Sequence, residues 1–319
     1  MSVAVILNLL QTALTLGLIC SLTVLALFLS YSMLNVCDLS TDGCFTLGAT
    51  TAAMVVLSGH PYLAIVAAMG AGAMSGFVTA FLQTKMGVDS LLSGIIVNTG
   101  LYSVNIAIMK GASIVNLNGT DTVFSGMRSI LKESSLLRYS DLLVGLIFVA
   151  LIIVFLATFL STKLGRAIRA TGNNPEMVKA SSINPVFTTI VGLVVANSFT
   201  GLSGCLLSQM QKSANIDIGT GMLTIALASL LIGSTFMGKG SIAKRAVGMV
   251  VGSVIFRLVY MVALRFHMPA FMLKLVSSVI VVIAISTPYL KQRYPMLMRR
   301  LSHKKEITRR MEKEGEKNA

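Results

Sequence analysis

Apolar stretches long enough to cross a bilayer recur along this whole chain, and no other feature limits its fold as tightly. The hydrocarbon core is about 30 Å thick, and a helix needs about 18–20 apolar residues to span it. Such runs read as roughly 46–60, 62–84, 88–109, 142–161, 186–208, 218–236, 246–265 and 269–289. A longer one, from Val3 to Leu34, precedes them. In hydrocarbon every backbone N–H and C=O must be paired inside the protein, so only helices and closed barrels span. The runs are continuous rather than alternating, which argues against a barrel. The sequence therefore predicts an all-α polytopic membrane protein of about eight to ten transmembrane helices. Only 12% of the 319 residues are charged, half of what a soluble domain carries.

The Val3–Leu34 run exceeds one span. It reads as one tilted helix or as a short helix leading into a longer one. After it, Asn35 to Gly48 interrupts the apolar pattern with Asp38, Asp42, glycines and hydroxyls. This is either an ordinary turn at the cytoplasmic surface or a break inside the membrane where irregular backbone lines a cavity. The N-terminus has no basic region and no small-residue cleavage pattern, so the first run reads as a retained span.

The net charge of +14 is concentrated in three places. The tail 290–319 holds ten Lys/Arg against four Glu. The island 163–185 holds Lys163, Arg166, Arg169 and Lys179 against Glu176, and 237–245 holds Lys239, Lys244 and Arg245. This clustering argues against nucleic-acid binding and places all three segments in the cytoplasm by the positive-inside rule. The polar segment 110–141 is nearly balanced and falls outside by parity. The expected organisation is one transmembrane domain, 1–289, and a basic cytoplasmic tail, 290–319, which can also touch anionic lipid. Small-residue spacings such as Gly72 to Gly76 and Gly248 to Gly252 allow close helix contact. A faint similarity between Phe45–Gly48 and Ala226–Gly233 hints at inverted internal repeats.

Catalytic chemistry finds little footing. His60, His267 and His303 form no cluster with metal-ligand spacing, so no metal site is expected. Cys20, Cys37, Cys44 and Cys205 lie in or beside apolar segments and read as small hydrophobes. Gly233 to Ser241 nearly fits a phosphate-binding loop, but Gly240 stands where a hydroxyl should follow Lys239. Polar residues inside spans are better pointers. Asn98 and Asn105 share a helix face, and Asn197 lies midway along another span. Each also fits plain interhelical hydrogen bonding. Arg257 lies about 14 Å inside its span, whereas Lys274 is near enough to an end to snorkel. Asp38, Ser40, Asp42 and Phe45 join Asn98, Asn105, Asn197 and Arg257 as translocation-path candidates. No chain of acids runs through the spans, so an ion-coupled secondary transporter is the alternative, not the first reading.

The island 163–185 is longer than a chain reversal requires. Pro175 suits a first helical position and Asn174 the cap before it, which predicts a short helix from Pro175 to Ser181. Gly172 lets the chain turn sharply just ahead. A membrane protein that holds such a helix on its cytoplasmic face presents it to a partner.

The stretch from Lys163 to Glu176, continuing through Ala180 to Ile183-Asn184, resembles the cytoplasmic coupling loop of ABC importer permeases of the branched-chain amino acid and ribose type. The matching residues are Gly165, Arg166, Arg169, Gly172, Asn173, Asn174, Pro175 and Glu176, then Ala180, Ile183 and Asn184. Asn35 to Gly48 and Gly219 to Ser241 resemble two further family stretches. Ser182 and Ser234 stand where the family usually has Gly. The lengths also resemble permeases encoded beside a lipoprotein for aromatic amino acids. The resemblance implies a bacterial plasma-membrane permease working by alternating access, with its C-terminus cytoplasmic. Its partners would be a second permease copy, ABC ATPase subunits and an extracellular solute-binding lipoprotein. ATP and Mg would bind those ATPase subunits, with no cofactor on this chain. An amino acid is the expected solute, with a sugar or nucleoside as the alternative.

Overall fold

The computed structural model describes residues 3–132, 135–236 and 240–265, with scattered helical positions between 275 and 286. The body of the span expected at 269–289, the tail 290–319, Lys239, His267, Lys274 and His303 lie outside the described residues. Helix α1 (Val3–Leu27) continues through a π-helical turn (Phe28–Met33) as one rod. Then come α2 (Thr41–Leu57), α3 (Leu63–Thr84), α4 (Ser90–Ile108), strand β1 (Ile114–Asn116) and α5 (Val123–Ile130). The second half holds α6 (Ser140–Ser161), α7 (Lys163–Asn173), α8 (Pro175–Ala180), α9 (Pro185–Gln211), β2 (Ser213–Asn215), α10 (Met222–Phe236) and α11 (Ile242–Arg265). Among the described residues six helices are long and apolar enough to cross a membrane, and α2 and α10 are shorter apolar helices. The chain is an all-α polytopic membrane protein.

Its two ends differ. At one, β1 and β2 form an antiparallel ribbon that pairs Ile114 with Asn215 and Asn116 with Ser213. This ribbon has no counterpart in the sequence reading. The Gln209 carboxamide joins the same end: its Oε1 accepts from Val123 N at 2.9 Å and its Nε2 donates to Pro61 O at 3.4 Å. The start of α1 is tied there too, because Arg138 Nη2 donates to Asn8 Oδ1 at 2.6 Å. Arg128 Nε donates to Asp141 Oδ1 at 3.1 Å, and that hydrogen bond raises the Arg128 pKa above its ordinary value. At the opposite, basic end lie α7, α8, the close of α1 and the start of α9, with Thr171 and Thr188 hydroxyls 2.8 Å apart.

Between these ends, α1–α2–α3 and α9–α10–α11 run in opposite directions, as inverted repeats do. Helix α3 lies antiparallel on α9, with Gly72 against Asn197 and Gly76 against Leu193. Its counterpart α11 lies antiparallel on α1, where Ser253 Oγ donates to Gly17 O at 2.8 Å and Arg245 Nη2 to Ser32 Oγ at 2.9 Å. The two central helices, α1 and α9, are the most enclosed and are linked by Ser203 Oγ donating to Ile19 O at 2.7 Å. Lipid tails are as apolar as leucine, so association here rests on close packing and interhelical hydrogen bonds. Gly201 shows how close: a Cβ there would sit 3.3 Å from Gly72 Cα and closer still to Ala68 O.

Candidate functional site

The interrupted stretch after α1 is a break inside the fold, not a turn at its end. Asn35 takes a left-handed φ of +57°, and the chain then runs without helix to Ser40 before α2 begins. Asp38 is only 2% exposed. Its Oδ1 accepts from Ser40 N at 2.8 Å and Ser40 Oγ at 2.6 Å, and its Oδ2 accepts from Asn197 Nδ2 at 2.7 Å. Asn197 lies twelve residues into α9, or about 18 Å along it, so this cluster sits at mid-depth. Residues 41–48 belong to α2, which starts earlier than the span expected at 46–60.

Asp42 joins the two shortened helices. It stands in the first turn of α2, and its carboxylate accepts from Gly221 N at 2.9 Å and Leu223 N at 2.7 Å, at the start of α10. The first N–H groups of a helix lack partners within it and carry partial positive charge. One carboxylate therefore satisfies two of them on α10 while complementing the first turn of α2. Both half-helices begin at mid-depth, α2 running toward the ribbon end and α10 toward the basic end.

Asn98 and Asn105 share one helix face, as their spacing predicted, and that face is turned to α2. Asn98 Oδ1 accepts from Gly43 N at 2.7 Å, and Asn105 Nδ2 donates to Gly43 O at 3.3 Å. Phe45 is fully enclosed among apolar side chains. Arg257 is partly buried. Its Nη2 lies 2.9 Å from Cys20 Sγ and 3.9 Å from Met222 Sδ, and its guanidinium sits 5.8 Å from the Tyr260 ring centre. The structure thus gathers Asp38, Ser40, Asp42, Asn98, Asn105 and Asn197 around the start of α2 and sets Arg257 beside the start of α10.

The island 163–185 holds two helices where one was expected. The Thr162 hydroxyl caps α7 by accepting from Gly165 N at 3.1 Å. Gly165, Ile168 and Thr171, three apart, form its buried face, and Arg166 and Arg169 stay exposed. Thr162 ahead of that spacing was a legible signal for α7. The short helix α8 is close to the expectation: Asn174 Oδ1 accepts from Glu176 N and Met177 N at 3.1 Å, and Pro175 is at N1. Gly172 is a correction: it lies inside α7 rather than at a turn, and its need is space. A Cβ there would strike the Met33 carbonyl and lie 2.8 Å from Leu34 C. The positive φ of +58° falls instead on Ser182, before Ile183 and the α9 cap Asn184. Asn173, Glu176 and Ala180 are exposed, and Met177 is 59% exposed beside the Glu176–Lys179 ion pair at 2.9 Å.

Comparison with known proteins bears on what such a platform serves. The model of a family described as branched-chain amino acid transport system / permease component matches residues 9–285. The tyrosine transport system permease protein of Clostridioides difficile (strain R20291) is 31% identical over 93% of this chain and 98% of its own length. The ribose import permease protein of Escherichia coli (strain K12) is 26% identical over 68% of this chain and 66% of its own. A nucleoside ABC transporter permease protein of Lactococcus lactis subsp. cremoris (strain MG1363) is 28% identical over 52% of this chain and 49% of its own. No solved structure matches.

Proposed function

This chain belongs to the family of permease components of branched-chain amino acid transport systems, and from that membership we propose that it moves an amino acid inward with energy from ATP. The basic end faces the cytoplasm, as the excess of Lys and Arg there indicates. The ribbon end faces outside and receives a solute-binding lipoprotein. A cavity of about 590 Å³ at that end, lined in part by His60, Tyr62, Asp121 and Ser125, offers a polar surface for it. Two copies of the chain enclose the path, and ATPase subunits carry the nucleotide.

The observation that carries this reading is the α7–α8 platform. It is ordered, basic and exposed, yet α7 rests directly on the Met33–Leu34 backbone. Four residues beyond Leu34 is Asp38, at the mid-depth cluster. A push on α8 from an ATPase subunit therefore reaches the start of α2 through a short, packed connection. Packed contacts that switch between two arrangements turn small shifts into opening and closing. Gly165, Arg166, Arg169, Gly172 and Asn173–Glu176 build this joint, with Ala180, Ile183 and Asn184 closing it.

The test is uptake in proteoliposomes containing this permease, its ATPase subunits and its binding protein. L-tyrosine uptake should require internal or external ATP according to ATPase orientation, and should survive an ionophore. Uptake that continues without ATP and collapses with the ionophore would instead establish an ion-coupled carrier.

A further inference from the structure

The sequence contains twelve Asp and Glu; Asp38 and Asp42 lie in the mid-depth cluster, and Asp217 stands exposed between β2 and α10 and forms no ion pair with Arg257. Both carboxylates are already engaged, Asp38 with Ser40 and Asn197, Asp42 with the α10 N-terminus. Arg257 has no carboxylate partner among the described residues. Its Nη2 meets two sulfur atoms, which are weak acceptors, and its Nε is buried with no partner at all. The segment 269–289, which continues the chain, contains no acid in its sequence.

The side chain does not snorkel. Helices α1 and α11 are antiparallel with Gly17 level with Val254. Arg257 Cα is therefore level with about residue 14 of α1, yet the guanidinium reaches Cys20, about 9 Å nearer the middle. A snorkelling side chain would point toward the closer, ribbon end. This one points to Met222, the first residue of α10, where helix N-terminal charge is also positive. Ionisable groups inside a membrane face a cavity or partner and mark substrate paths.

We propose that Arg257 binds the carboxylate of the transported solute, so that the cargo is a carboxylate-bearing molecule such as an amino acid and not a neutral sugar or nucleoside. This rests on the importer reading above. The guanidinium fork suits a carboxylate, to which it can donate two parallel hydrogen bonds. Tyr260 beneath it shields one face and holds the plane.

The experiment uses the full complex in proteoliposomes and three probes: L-tyrosine, D-ribose and guanosine. The wild type should take up L-tyrosine with ATP. Arg257→Met and Arg257→Gln, assembled with their partners at wild-type abundance, should lose that uptake at least tenfold, while Arg257→Lys should keep an intermediate rate. If the residue only packs by its stem, Met and Gln will match the wild type, and the proposal falls. ATP-dependent uptake of ribose or guanosine that Arg257→Met leaves intact removes the carboxylate role and leaves the importer reading standing. Repeating the assay in phosphatidylcholine alone, which has no net charge, separates a bound anionic lipid from the solute: wild-type uptake falling there to the variants' level overturns the proposal. No ATP-dependent uptake of any probe by the wild type overturns the importer reading and this inference with it.

Discussion

Replacing Gly172 tests the joint between platform and spans. A Cβ at this position would lie 2.8 and 2.9 Å from Leu34 C and Cα, and nearer still to the Met33 carbonyl oxygen. Carbon atoms in contact prefer about 3.5–4.0 Å, so α7 must retreat by about 1 Å to accept even alanine. The blocking atoms are backbone, and no rotamer change relieves them. Overpacking of this kind costs about 1–3 kcal/mol. The strain falls on α7 and the break after α1, while α3 on α9 and α11 on α1 stay packed. Insertion and abundance should therefore be preserved. A coupling loss of about 1–3 kcal/mol is about 5- to 150-fold in the linked equilibrium. Gly172→Ala should fall in the lower part of that range and Gly172→Val in the upper part. The assay is ATP hydrolysis stimulated by solute-loaded binding protein, measured beside uptake at equal permease content. Gly70→Ala is the control, because nothing lies within 4 Å of a Cβ there. Wild-type coupling by Gly172→Val at equal abundance would refute the reasoning.

The other expectations follow from single contacts. Ser182→Gly should raise the stability of the purified protein by about 1 kcal/mol, read as a higher thermal midpoint, because Ser182 holds φ +58°. A lower midpoint would mean that the hydroxyl contributes more than the backbone strain costs. Asp42→Ala should free Gly221 N and Leu223 N together and cost about 1.5–3 kcal/mol per bond to the charged group. Unfolding in mild detergent would show this, and a loss under 1 kcal/mol for both bonds would sink the bridging role. In a background without Cys20, Cys37, Cys44 and Cys205, an impermeant thiol reagent added to intact cells should label a cysteine at Ile130 and spare one at Glu176. The reverse pattern would invert the proposed orientation.

Long apolar runs, the capped start of α8 and the clustering of basic residues needed only local rules. A span is a matter of length and hydropathy, since hydrocarbon forces helix on any such run. Asn174 before Pro175 satisfies backbone donors within its own next three residues, so its role is legible without the rest of the chain. Asn98 and Asn105, on the same face by helix period, announced a shared neighbour but not that it was Gly43. The status of Asn35–Gly48 was beyond such rules. A buried carboxylate is tolerated only when its partners are present, and the partners of Asp38 and Asp42 come from Asn197, Gly221 and Leu223, far along the chain. Gly172 shows the same limit: its local sequence suggests a turn, and only the approach of Met33 and Leu34 reveals that the missing side chain is what matters. By itself, then, the sequence was enough to say that the chain spans a membrane and that a capped short helix starts at Pro175 in its basic island. Tertiary structure alone decided that two helices start at mid-depth and that, among the described residues, Arg257 beside them forms no ion pair with an acid, because those facts depend on which distant residues pack together.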